Sequence, residues 1–105
     1  MAEAEQLLQE EMAQTAEFVD AGLFEYANPA QRGALYSFTY NEGMTAERSS
    51  TALRLFNDGD AQGCADALLA WDKLRDPTTN QLVYSRGLDR RRQFERAVFL
   101  GKVLP

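Results

Sequence analysis

Turn signals cut this chain at short intervals, and the stretches between them have the length and residue pattern of helices. Asn28-Pro29, Asn41-Glu42-Gly43, Asn57-Asp58-Gly59-Asp60 and Asp76-Pro77-Thr78-Thr79-Asn80 each pair residues that cap a helix with residues that cannot continue one. Proline withholds a backbone N–H, and glycine enters positive φ without a Cβ penalty. The pattern predicts an all-α domain made of short helices in a small bundle.

Within that frame each segment has its own signature. Residues 3 to 18 are rich in Ala, Leu, Glu and Gln, with Ala4, Leu8, Met12 and Thr15 at helical spacing and acids in the first turn. Asn28 is placed to cap a second helix with Pro29 at its first position, running to about Tyr40 and burying Ala34, Leu35 and Phe38. Ser49 or Ser50 suits the cap of a short helix through Phe56, with Ala52, Leu53 and Phe56 inward. Cys64, Leu68 and Trp71 fall at i, i+4 and i+7, which predicts a helix over 60 to 74. Residues 81 to 85 read equally as extended segment or loop. The last helix should start near Gly87 or Leu88, bury Leu88, Phe94, Ala97 and Val98, and stop at Gly101.

Size and composition narrow the function classes. The chain's 105 residues, 45% hydrophobic and 26% charged, fit one domain spanning 1 to 105. No stretch reaches about 18 uninterrupted apolar residues, and the start has no signal-peptide pattern, so neither a membrane span nor a secretory leader is expected. With no histidine and one cysteine, Cys64, a Cys/His zinc site and an internal disulfide are both excluded. No metal and no cofactor is expected. The usual general base is also missing, so catalysis would rest on carboxylates.

Charge is uneven along the chain. Residues 1 to 45 hold eight acids against Arg32 alone, and residues 46 to 105 hold ten bases against eight acids, within a net charge of −5. Such a field does not draw nucleic acid or an anionic polymer. The cluster Arg86, Arg90, Arg91, Arg92, Arg96 spreads over more than one helix face, and nucleic-acid binding is the weakest reading.

A series of motifs in order carries a family likeness. The runs Ala34-Leu35-Tyr36-Ser37-Phe38-Thr39-Tyr40-Asn41-Glu42-Gly43 and Ser49-Ser50-Thr51-Ala52-Leu53-Arg54, followed by Asn57-Asp58-Gly59-Asp60, resemble the phage-type lysozymes (endolysins) of glycoside hydrolase family 24. Cys64 to Trp71 continues the likeness, and Gly87-Leu88-Asp89-Arg90-Arg91-Arg92-Gln93-Phe94-Glu95 resembles the family's terminal helix. Met1 to Gln14 is similar to the helix joining the family's two lobes. The resemblance implies the fold of the helical lobe.

It also sets what to look for chemically. The family's catalytic pattern, E-x8-D/C-x5-T with a glycine-rich hairpin, does not occur in this sequence. Glu11 and Asp20 reproduce the first spacing, yet Tyr26 stands where threonine is required. Glu11 reads as a solvated helix face, and no residue is assigned a catalytic role.

The binding candidates form two sets. By resemblance Tyr40, Asn41 and Glu42 lie at the helix end that faces the substrate groove, and their bland reading is a helix C-cap closed by Gly43. Family members usually carry an apolar or small residue where Glu42 stands. Trp71 is either a sugar platform or core, with core favoured. Phe18, Leu23, Phe24 and Tyr26 form an apolar set that either repacks inward or meets a protein partner or a second copy through the surface near residues 18 to 28. Arg91 and Glu95, at i and i+4, are expected to pair structurally.

The sequence thus favours a non-catalytic lysozyme-like protein of a phage or prophage, acting in the bacterial cytoplasm on a host-defence or lysis-system protein. The alternative is one part of a split or truncated muramidase whose catalytic lobe comes from elsewhere.

Overall fold

The computed structural model describes residues 2–43 and 51–102, with side chains from residue 9 onward. Among them are five helices, α1 (Ala2–Gly22), α2 (Pro29–Glu42), α3 (Thr51–Asn57), α4 (Ala61–Leu68) and α5 (Arg86–Phe99), and a hairpin of β1 (Lys73–Arg75) and β2 (Leu82–Tyr84). The fold is therefore mostly helical, and the all-α expectation is corrected by the hairpin.

The helix boundaries follow local chemistry. Asn28 closes a capping box with Gln31: its Oδ1 accepts the Gln31 N–H at 2.8 Å, and its own N–H donates to Gln31 Oε1 at 2.9 Å. At the other end Gly43, at φ 100°, donates its N–H to the Thr39 carbonyl at 2.7 Å. Gly59 turns the chain at φ 89°, and Asp60 caps α4 through the Gly63 N–H at 2.8 Å. Ser85 caps α5 through Leu88.

Helix α2 lies between α1 and α5, and α4 joins α3 to α5. Val19, Ala34, Leu35, Phe38, Ala52, Phe56, Cys64, Leu68 and Phe99 make one buried cluster. Full burial of a Leu or Phe side chain contributes roughly 1.5–3 kcal/mol, so Leu35, Phe38 and Leu68 are the main holders of the helix contacts. Ring pairs refine the packing: Phe56 meets Phe99 edge-on at 6.0 Å, and Phe38 meets Trp71 edge-on at 5.6 Å.

Four expectations change. The helix expected over 60 to 74 ends at Leu68, where Leu69, Ala70 and Trp71 donate to carbonyls three residues back. This tightened turn leaves Trp71 half-buried against Phe38. The residues beyond it become β1, and the open segment 81 to 85 supplies β2. The register is Lys73 opposite Tyr84, Leu74 opposite Val83 and Arg75 opposite Leu82. Phe94 is exposed, because the inward stripe of α5 is Arg92, Glu95, Val98 and Phe99. Met12 is also exposed, one turn beyond the buried positions Thr15 and Val19 of α1. The Ser49 and Ser50 cap and the Ala4 and Leu8 side chains lie outside the described residues.

Candidate functional site

The two sets of candidate residues occupy opposite ends of the α1–α2 pair. These helices run antiparallel, as two tyrosines show: Tyr36 Oη donates to Asp20 Oδ1 at 2.6 Å, and Tyr40 Oη, one turn later, donates to Glu11 Oε2 at 3.3 Å. Tyr40, Asn41 and Glu42 therefore sit at one end. Leu23, Phe24 and Tyr26 sit at the other, separated by the 14 residues of α2, about 21 Å of helix. Sequence reasoning did not separate them in space.

At the first end, a groove of about 690 Å³ is lined by Glu42, Thr51, Ala67, Ala70, Trp71, Lys73 and Leu82. Its floor is apolar and aromatic. Lys73 Nζ rests 2.9 Å from Asp72 Oδ1, and Glu42 is held from behind. Tyr40 and Asn41 are exposed beside it.

What holds Glu42 is a charged network inside the protein. The Arg92 side chain is fully buried, with Nη1 at 2.5 Å from Glu42 Oε1 and Nη2 at 3.0 Å from Glu95 Oε2. Arg92 Nε also lies 2.7 Å from Glu95 Oε1, an ionic contact off the line of the N–H. Ser37 Oγ donates to Glu95 Oε2 at 2.5 Å, and the guanidinium sits 5.3 Å over the Phe38 ring. Arg91 Nε approaches Glu95 Oε2 at 3.6 Å from the exposed side. The sequence reading paired Glu95 with Arg91 and missed Arg92. The missed signal was the i, i+3 spacing of Arg92 and Glu95 on the stripe that carries Val98 and Phe99.

At the second end, Leu23 packs against the core and Phe18 is half-buried, whereas Phe24 and Tyr26 are 82% and 81% exposed. Phe24 is thus presented outward. Asn57 fixes the chain beneath it, accepting the Phe24 N–H at 2.8 Å and donating to the Gly22 carbonyl at 2.9 Å.

The two acids with the family spacing do not converge. Glu11 and Asp20 stand nine positions apart on the continuous α1, about 13.5 Å along its axis, whereas two-carboxylate glycosidases hold their pair roughly 5–9.5 Å apart. Glu42 and Glu95 are both engaged by Arg92. Among the described residues no group of three or more His, Cys, Asp or Glu is arranged to hold a metal. Nor is any described helix long and apolar enough to cross a membrane.

A helical pair with a C-capped end, a groove beside that end and a helix α5 locked to it by a buried arginine make this a small, mostly helical domain with a groove at one end. The family model for phage lysozyme matches residues 1–95, and the chain belongs to that family. The endolysin of Bacillus phage B103 is 38% identical over 92% of this chain, and the SAR-endolysin of Enterobacteria phage P21 is 34% identical over 94%. The chain spans 35% and 56% of their respective lengths. Among solved structures, an endolysin from Escherichia coli O157:H7 phage FAHEc1 superposes with TM-score 0.90 at 33% identity, covering 99% of this chain and 65% of that one. The muramidase domain of SpmX from Asticaccaulis excentricus gives TM-score 0.86 at 31% identity, over 95% and 67%.

Proposed function

We propose that this chain acts as the helical lobe of a peptidoglycan muramidase, building one wall of the glycan groove and holding no hydrolytic centre among its described residues. The carrying observation is the disposition of the acids. The one pair with family spacing, Glu11 and Asp20, is spread along a single helix, and Glu42 and Glu95 are both ion-paired to Arg92. Hydrolysis then requires the glutamate and the aspartate or cysteine of the family's E-x8-D/C-x5-T pattern from a further polypeptide segment, with the Glu42 and Trp71 groove facing them. The protein is made in the bacterial cytoplasm during phage infection or prophage expression.

The test is clearing of a peptidoglycan suspension. The chain by itself is expected to give no clearing, and mixing it with a polypeptide bearing the E-x8-D/C-x5-T segment of a related endolysin is expected to restore it. Clearing by the chain alone, at the rate of a complete endolysin, would overturn the reading.

A second reading, a lysozyme-derived scaffold that binds a protein without catalysis, is favoured by the outward placement of Phe24 and Tyr26. It predicts a protein complex and no clearing in either mixture.

A further inference from the structure

We propose that the loop joining α1 to α2 is a docking surface for a cationic protein segment bearing arginine or lysine. Three independent observations converge on it. The first is anchorage: Asn57 pins the loop at Gly22 and Phe24, and Ala27 is buried at its far end. A loop held at both ends that still leaves two aromatic rings about four-fifths exposed presents those rings at little ordering cost to a partner.

The second is shape. Tyr26 and Glu25 form a ridge between a cleft of about 390 Å³, which reaches Asp20 and Arg32, and a smaller one of about 180 Å³ beside Phe56. Phe24 borders a further cleft of about 330 Å³ with Leu53 and Arg54. Each ring therefore stands beside a recess that can take a long side chain.

The third is charge. Residues 17 to 32 and 54 to 61 carry five carboxylates (Glu17, Asp20, Glu25, Asp58, Asp60) against two guanidinia (Arg32, Arg54). Asp20 accepts from Tyr36 and Asp60 caps α4, while Glu25 has no hydrogen bond or ion pair among the described residues. Glu25 and Tyr26 line the same two clefts, and a guanidinium or ammonium entering them gains a charge-assisted hydrogen bond and a cation–π contact together. The clefts beside Tyr26 are lined by Asp20 and Glu25 against Arg32, so an anionic partner would meet net repulsion there, whereas Arg54 is the charged residue of the cleft beside Phe24. This surface lies at the opposite end of α2 from the groove and does not depend on the muramidase reading.

The experiment titrates the full chain against a fluorescein-labelled nonapeptide of alternating arginine and glycine, with the glutamate counterpart as control. Binding of the arginine peptide alone, weakening with added salt, is expected. The double variant Phe24→Ser, Tyr26→Ser should weaken it at least about tenfold, and Glu25→Gln severalfold. Glu10→Gln, which removes the same charge from a distant exposed position of α1, should leave it unchanged. These positions are exposed, and circular dichroism checks that every variant keeps its fold. No binding at millimolar peptide, or equal binding by the double variant, overturns the proposal. So does concentration-dependent dimerisation that Phe24→Ser abolishes, because the occupant would then be a second copy.

Discussion

Arg92 and Glu42 are 50 positions apart in sequence and meet at 2.5 Å, which fastens the C-terminal end of α2 to α5. The guanidinium is fully buried, and Glu95 and Ser37 complete its surroundings. Removing it strands two carboxylates, one of them 1% exposed, so Arg92→Met should cost about 3–5 kcal/mol. Glu42 keeps some access to water, and Glu42→Gln should cost distinctly less. Urea unfolding followed by circular dichroism separates the two; a loss below about 1 kcal/mol for Arg92→Met would show that the carboxylates escape to solvent.

Tyr84 and Asp89 make one hydrogen bond that titrates from both ends, Tyr84 Oη donating to Asp89 Oδ2 at 2.5 Å. The bond from Tyr84, helped by Gln93, holds the Asp89 carboxyl below its ordinary 3.8. Its stabilisation is present above that value and is lost as pH falls through the lowered one. The same bond pushes the Tyr84 phenol above its ordinary 10.0, so this contribution is present below 10.0 and is lost as pH rises through the raised value. Melting temperatures of the parent and Tyr84→Phe should differ across the middle range and converge at both extremes. A constant difference at every pH would mean that the ring's packing, not the bond, is responsible.

Gly63 and Asp60 should couple. A Cβ at Gly63 would fall 2.3 Å from Asp60 Oδ2, so Gly63→Ala gains up to about 1 kcal/mol of helix propensity and loses a cap of similar size. Alone it should be nearly neutral. In an Asp60→Ala background the same change should stabilise by about 0.5–1 kcal/mol, and a double-mutant cycle reads the difference.

Asn57→Ala should free the loop without unfolding the protein. It removes an acceptor for Phe24 and a donor to Gly22, worth about 1–2 kcal/mol together. Hydrogen exchange at the Phe24 amide should accelerate far more than at Phe38 in α2; equal acceleration at both would point to global loosening instead.

Local signals set most of the helix boundaries, the end of α4 at Leu68 excepted. Asn28, Gly43, Gly59, Asp60 and Gly101 act through their own hydrogen-bonding reach and φ preference, within a few residues, and such signals survive without knowledge of the rest. The apolar stripes of α2, α3 and α4 were legible for the same reason. Ordered motifs also sufficed for the family.

Three things were decided only by the tertiary structure. Trp71 stands past the end of α4 and meets Phe38, 33 positions earlier, edge-on, a contact outside any local window. Arg92 and Glu95 went inside while Phe94 stayed out, since burying a charge depends on partners such as Glu42 and Ser37, which no local window contains. The antiparallel run of α1 and α2 also placed Glu42 and Tyr26 at opposite ends. Helical periodicity reports which face is apolar. It carries no term for the long-range pairing that makes a buried charge affordable, nor for the direction in which the next helix returns.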